Sequence, residues 1–215
     1  MSYFYLYPIA LSQTDDQDTI FNASSKTFVA VPLISNNPTM ETGFGAMAMY
    51  FFKTNSDDIL SPPSVVTVAG LYSTNSSYYF VPMAKLYWGE NKNRATLITG
   101  TLRINNNFDY NFEETDLNLV FSELRYFLTM EYSRKVVSNL YLGLMYLGTK
   151  TLYKFDKGTD DENEGEESFD KNWLPSAGGG LRFMISREKR INLRLDYAWG
   201  VDGNQGLYFG VMEAF

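Results

Sequence analysis

The segment INLRLDYAWGVDGNQGLYFGVMEAF, residues 191–215, decides the fold class. Ile191, Leu193, Leu195, Tyr197, Trp199 and Val201 share one parity, and Asn192, Arg194, Asp196, Ala198, Gly200 and Asp202 share the other. Successive side chains of a strand point to opposite faces, so one face is apolar and the other polar, charged or small. VDGNQG, with its Asp-Gly step and second glycine, has the composition of a hairpin turn. The return strand puts Leu207, Phe209, Val211 and Phe215 on one face and Tyr208, Gly210, Met212 and Ala214 on the other, with Glu213 interrupting the apolar set. Two media account for this pattern. A soluble antiparallel sheet turns its apolar face to a core and its polar face to water. A membrane barrel turns the apolar face out to lipid and the polar face in to a lumen.

Working outward, the same period recurs along the chain. Strand candidates occupy 27–35, 43–53, 64–73, 78–88, 94–104, 120–133, 140–155 and 174–186, and the two just described complete a set of ten. In 43–53, Phe44, Ala46, Ala48, Tyr50 and Phe52 oppose Gly43, Gly45, Met47 and Met49. In 120–133, Leu124, Tyr126, Leu128, Met130 and Tyr132 oppose Glu123, Arg125, Thr129 and Glu131. Most candidates reach the roughly 9–11 residues that a tilted strand needs to cross a bilayer, whereas globular strands run nearer 5 or 6. No segment has helical periodicity.

The connections carry a second asymmetry. On the side of the first strand's N-terminus lie TNSDDILSPPS, GENKN, RKVVSN and REKR. On the far side lie NNPTMET, TNSS, NNNFDYNFEETDLN, DKGTDDENEGEESFDKN and DGNQG. Apart from the first, the near-side turns are short, and the far side holds the long loops, as in outer-membrane barrels. An even strand number brings Phe215 back to the periplasmic edge. The expectation is therefore an all-β chain: a closed antiparallel transmembrane β-barrel of about ten strands over residues 27–215. Eight strands is the alternative, because 27–35 contains Pro32 and 64–73 is apolar on both parities. Ahead of the barrel, residues 1–13 read as a signal-peptide remnant, with an apolar run at 3–11 but no basic start, or as a segment packed on the body; 14–26 read as a polar lead-in.

Composition narrows the function. Among 215 residues there is no cysteine and no histidine. That removes disulfides, thiolate zinc sites, the Ser-His-Asp triad and the HExxH metalloprotease. No catalytic, cofactor or metal residue is assigned, and the chain is expected not to be an enzyme. A net charge of −7 argues against nucleic acid as a partner. Aromatics make up 16%, matching the girdles of membrane barrels. Trp88, Trp173 and Trp199 fall near strand ends, where interfacial aromatics belong. The mean hydropathy is only −0.24, which a barrel tolerates because its signal is spread over short strands.

The candidate site is a lumen cluster. Arg182, Arg194 and Asp196 share the inward parity on neighbouring strands, and Glu123, Arg125 and Glu131 share it on another. An Arg or Lys on the lipid face costs about 2–4 kcal/mol at the midplane, so this placement fits a barrel. The interior of a ten-stranded barrel is narrow, and the cluster reads first as a salt-bridged filling. A solute-selecting lumen or a contact for an inserted loop is the other reading. Gly178, Gly179 and Gly180 mark a bulge, a close approach or sharp curvature. The acidic stretch 156–170 has oxygen ligands enough for calcium but no EF-hand spacing, and reads as a solvated outer loop.

Several stretches resemble one family. PLISNNPTMETGFGAMAMYFF (32–52) is similar to the barrel entry of the bacterial surface-antigen family, the BamA/TamA-type outer-membrane barrels, with its Pro-x-x-x-x-Gly-x-Gly turn before an aromatic strand. SPPSVVTVAGLYSTNSSYYFVPMAKLYW resembles the next hairpin, and LPSAGGGLRFMISREKRINLRLDYAWG with GLYFGVMEAF resembles the last three strands. The resemblance implies a shortened member lacking POTRA-type domains and located in the outer membrane of a Gram-negative bacterium. Its expected partners are outer-membrane lipid and other outer-membrane or periplasmic proteins. Its expected role is structural, a narrow channel, or an accessory in outer-membrane protein assembly. The alternative is a soluble lipocalin-like barrel that binds an apolar ligand, which would bury Leu195 and Trp199 and turn Arg194 and Asp196 to water.

Overall fold

Period-two patterning becomes strand throughout. The computed structural model describes residues 27–112, 115–156, 167–170, 173–186 and 191–213. The segments read as a signal remnant and polar lead-in lie outside the described residues, as do Phe215 and the REKR turn. The strands are β1 (Thr27–Asn37), β2 (Glu41–Phe52), β3 (Ser64–Ser73), β4 (Tyr78–Trp88), β5 (Asn93–Phe112), β6 (Thr115–Val137), β7 (Leu140–Asp156), β8 (Glu167–Asp170), β9 (Leu174–Ser186), β10 (Ile191–Gly200) and β11 (Gln205–Glu213). Ten of them form one antiparallel sheet in chain order, with short β8 paired to β7 off that path. The sheet is open: among the described residues β1 pairs only with β2, and β11 only with β10.

Both weak candidates are strands, which removes the eight-stranded alternative. Pro32 sits in β1, an edge, where a missing N–H is tolerated. Pro82 lies in interior strand β4, and there the β4–β5 ladder skips from Phe80↔Thr101 to Met83↔Ile98. The apolar 64–73 segment is β3, with Leu71 buried on one face and Val66 and Val68 exposed on the other. The Asp-Gly step of the last hairpin forms a 3-10 turn, with Asp202 and Gly203 at φ 58° and 74°.

Two expected far-side loops need correction. Residues 105–112 and 115–118 are strand rather than loop: β5 and β6 pair up to Phe112↔Thr115, past the ends of their other neighbours. The physical reason is in the segment itself, where Phe108, Tyr110 and Phe112 alternate with Asn107, Asp109 and Asn111, so the ladder continues. In the acidic stretch, Glu167–Asp170 is strand β8, while 157–166 lie outside the described residues.

The register is that of a tilted sheet. The ladder through Phe28, beside the start of β1, runs Tyr50, Val66, Ala84, Leu97, Met130, Tyr146, Ala177, Trp199 and reaches Gln205, the first residue of β11. It therefore crosses from the near end of the first strand to the far end of the last, the stagger that strand tilt produces in barrels.

The two faces differ sharply. Leu144 and Phe209 stand 67% and 70% exposed on one, and Phe44, Phe183 and Trp199 share it. Asp196 and Tyr141 are 3% and 1% exposed on the other, with Thr67, Ser133 and Arg182 also buried. No helical layer covers that second face among the described residues, so curling of the sheet shelters it. On β1–β3, and at Val81 of β4, this sheltered face is itself apolar or small: Val31, Met47, Ala69 and Val81 occupy one ladder. The charged part of the expected interior thus begins at Lys85 on β4.

A clasp ties the near-side connections. In the β4–β5 turn, Gly89, Glu90 and Asn91 have φ of 66°, 61° and 58°, which aims successive N–H groups to one side. Asp58 Oδ2 accepts from the Glu90 N–H at 2.8 Å, and Ser61 Oγ accepts from the Asn91 N–H at 2.6 Å. Asp58 also accepts from the Ser61 hydroxyl at 2.6 Å and the Ser61 N–H at 2.9 Å. The Ser61 hydroxyl, followed by the Glu90, Ser61 and Leu60 N–H groups, holds the Asp58 carboxyl down at about 2 against desolvation. Its folded-state value lies below the unfolded one near 3.9. The clasp therefore contributes fully above pH 4 and is lost as pH falls toward 2. Limited proteolysis of residues 53–63 is expected to accelerate between pH 4 and pH 2 with an acid-active protease, and Asp58→Asn to remove that dependence and cut faster at pH 5.

Candidate functional site

The ladder places the charged residues in rows across the sheltered face. One row is Lys85, Thr96, Glu131, Met145, Gly178 and Ala198 on β4, β5, β6, β7, β9 and β10. The next is Tyr87, Arg94, Ser133, Gly143, Gly180 and Asp196, followed by Lys135, Tyr141, Arg182 and Arg194. Arg182 and Glu131 thus lie two rows and two strands apart, with Gly143 between them.

The side chains bridge that gap. Arg182 Nη2 lies 2.5 Å from Glu131 Oε1 and 3.8 Å from Asp196 Oδ1. Arg194 Nε contacts Asp196 Oδ2, and its Nη1 lies 3.9 Å from Glu131 Oε2. Two guanidinium groups and two carboxylates therefore form a balanced quartet. Its side chains span β6 to β10 on the sheltered face, which requires that face to be concave. Arg194 Nη2 also approaches Met145 Sδ at 3.3 Å.

Glycines make the quartet possible. A Cβ on Gly143 would collide with Arg182 Nη1 and stand 3.1 Å from its Cζ. A Cβ on Gly180 would collide with Asp196 Oδ1. The triple glycine is accordingly a site of close approach, and the bulge of this hairpin lies elsewhere, between Ile191 and Asn192. Gly178 meets the β10 backbone at Tyr197 O, where a Cβ would come within 2.7 Å.

The six expected lumen residues all lie on the sheltered parity but form two groups. Glu131 joins Arg182, Arg194 and Asp196. Glu123 and Arg125 pair with each other, two residues apart on β6, away from the quartet. Lys85, Arg94 and Tyr141 lie on the same face. Arg94 donates to Tyr141 Oη at 3.0 Å and to Asn91 Oδ1 at 3.0 Å, and its guanidinium lies 4.1 Å from the Tyr141 ring centroid. Tyr141 in turn donates to Asn91 O at 3.0 Å, which ties the interior to the near-side clasp. Parity alone marks Lys85, the one charge in YYFVPMAKLYW, as opposite in sense to Trp88. Nothing in the sequence marks Tyr141. A cavity of about 350 Å³ opens among Lys85, Arg94, Thr96, Glu131, Arg182 and Arg194.

Among the described residues, the other face is free of charge over a defined band. Arg103 and Lys150 lie toward its far edge, and Arg134 toward its near edge. Ten steps along β6 separate Leu124, the ladder partner of Arg103, from Arg134. Aromatic pairs flank the band: Tyr50–Phe52 and Trp88–Tyr132 toward the near ends, Tyr72–Tyr78 and Tyr197–Trp199 toward the far ends. Trp173, just before β9, donates to Tyr146 Oη at 2.9 Å.

Removing one member of a sheltered ion pair leaves a charge without its counterpart, at a cost of about 3–5 kcal/mol. Arg182→Met is expected to lose about that much in denaturant unfolding. Gly143→Val is expected to be destabilising by separating Arg182 from Glu131, and to lose most of that effect when Arg182 is already Met.

No family model, curated protein or solved structure matches the chain, so its function is argued from this geometry.

Proposed function

We propose that this chain is an integral outer-membrane β-barrel protein of a Gram-negative bacterium, with its exposed apolar face against lipid and its charged face inward. In the membrane β1 meets β11 and closes the sheet. The interior is narrow and partly filled by the Glu131–Arg182–Arg194–Asp196 quartet, which suits a structural barrel or a narrow channel.

One observation carries the reading: each of the ten strands of the path exposes a large apolar side chain on the same face, from Phe28 and Phe44 through Leu97 and Met130 to Leu195 and Phe209. Soluble monomers rarely expose an apolar patch beyond a few hundred Å². The height of the charge-free band supports it too. Ten steps at about 3.3 Å, tilted by about 40°, give roughly 25 Å, the height of the apolar belt of such barrels. The aromatic pairs at both edges are where interfacial girdles sit. A soluble ligand-binding barrel needs the reverse arrangement, with Leu195 and Trp199 buried. Both are exposed, while Asp196 is buried. A role in outer-membrane protein assembly is the second reading, supported by the surface-antigen-like segments at 32–52 and 174–200.

Detergent is expected to be required for extraction, and unboiled protein to migrate differently from boiled protein on a gel. Spin labels at Leu144 and Leu195 are expected to be relaxed by an acyl-chain quencher, and labels at Thr67 and Ser133 not. Quenching at the second pair alone, or solubility without detergent, overturns the reading.

A further inference from the structure

The cations on the sheltered face are unequally matched. Arg125 has Glu123, and Arg182 and Arg194 share Glu131 and Asp196. Among the described residues Arg94 has only neutral partners: Asn91 Oδ1, the Tyr141 hydroxyl and the Tyr141 ring. Lys85 has no hydrogen bond or ion pair among the described residues. Its strand neighbours are Val65 on β3 and Thr96 on β5. Lys85 pairs with Thr96, and Tyr87 with Arg94, so Lys85 and Arg94 are diagonal neighbours. Such positions lie about 7–8 Å apart, close enough for two long side chains to grip one group.

Two like charges at this spacing, with no carboxylate between them, repel each other. The nearest acid in the row, Glu131, is already held by Arg182 at 2.5 Å. The wall of the cavity therefore carries an unmatched positive charge from Lys85 and Arg94. Its volume of about 350 Å³ is on the order of ten waters at ~30 Å³ each, room for an anion with a small organic body. The Thr96 hydroxyl lies between the two cations in the ladder and supplies a neutral donor.

We propose that this cavity binds a small water-borne oxyanion of the phosphate or carboxylate class, gripped between Lys85 and Arg94. The proposal deepens the barrel reading by naming what the interior admits, and rests on the charged face being the wet one. Charge-assisted hydrogen bonds from an ammonium and a guanidinium are the strong contacts that recognise such a group. Arg94 is also oriented by Tyr141, so it is pre-positioned before the anion arrives. The Glu131 quartet supplies the opposite wall and is itself neutral overall.

The test is calorimetric titration of inorganic phosphate into the full chain, folded in zwitterionic detergent at low ionic strength. Saturable binding is expected, weakened at least tenfold by Lys85→Met and retained by Lys85→Arg. Lys92→Met, on an exposed turn and paired with Glu90 at 2.7 Å, is expected to bind as the parent does. Lys85 holds nothing else together, so its variant keeps the fold; Arg94→Lys, which keeps the charge and loses the ring contact, is expected to fall between the two. No saturable phosphate binding, or undiminished binding by Lys85→Met, overturns the proposal. A second arm adds phosphatidylglycerol to the micelle. Lys85-dependent capture of that lipid in place of phosphate also overturns it, because the ligand is then a headgroup. Solubility without detergent removes the membrane reading separately, and the same titration then runs in buffer.

Discussion

A single-layer sheet has no second layer to pack against, so its two faces must each find a medium. That constraint governs this molecule. Among the described residues, no helix or second sheet covers either face of the ten-stranded path. One face solves the problem by curvature: the sheet curls over it and buries Tyr141, Asp196 and Ser133. Curling necessarily splays the other face, and that is where the large apolar side chains stand. A single ladder running from the near end of β1 to the far end of β11 expresses the same tilt.

Curvature also explains the chemistry of the concave face. Bringing strands together on the inside leaves little room, so glycine replaces side chains where another residue must lie across a strand. Gly143 lets Arg182 reach over β7 to Glu131, and Gly180 lets Asp196 lean over β9. The charges that gather there are matched in the quartet and unmatched at Lys85 and Arg94. The first half of the sheet fills the same concavity differently, with valine, methionine and alanine. The sheltered face is therefore polarised across the sheet, apolar or small along β1–β3 and charged from Lys85 of β4 to Asp196 of β10.

The strand ends are tied by separate means. At the near side the Asp58 carboxylate occupies the N–H concavity of the β4–β5 turn, and Arg94 and Tyr141 join that turn to the interior. At the far side Asn75 donates to Thr39 O at 2.9 Å and to Asn105 O at 3.2 Å, while Asn105 returns a bond to Asn75 O at 2.9 Å. The β1–β2 and β3–β4 turns and strand β5 are thereby held to one another without any disulfide, in a chain that has no cysteine. Each tie has at least one end in a turn, where a carboxylate or an amide can meet free backbone groups.

Alternation along residues 191–202 was enough to assign strand, face and turn, because side-chain direction in a strand is a local property of the backbone. The same holds for 43–53 and 120–133, and for the inward parity of Glu123, Arg125, Glu131, Arg182, Arg194 and Asp196. Residues 105–112 and 115–118 have the composition of a loop, because their asparagines and acids look like turn chemistry, but the ladder to a partner strand outweighs that composition. What the sequence leaves open is register. Glu131 and Arg182 lie far apart in the chain, and only the pairing of β6 with β7 and of β7 with β9, together with the gap at Gly143, brings them into contact. Likewise Lys85 and Arg94 become diagonal neighbours only through the β4–β5 register. Local alternation determined which side each residue faces; cross-strand hydrogen bonding, a non-local property, decided which residues meet there.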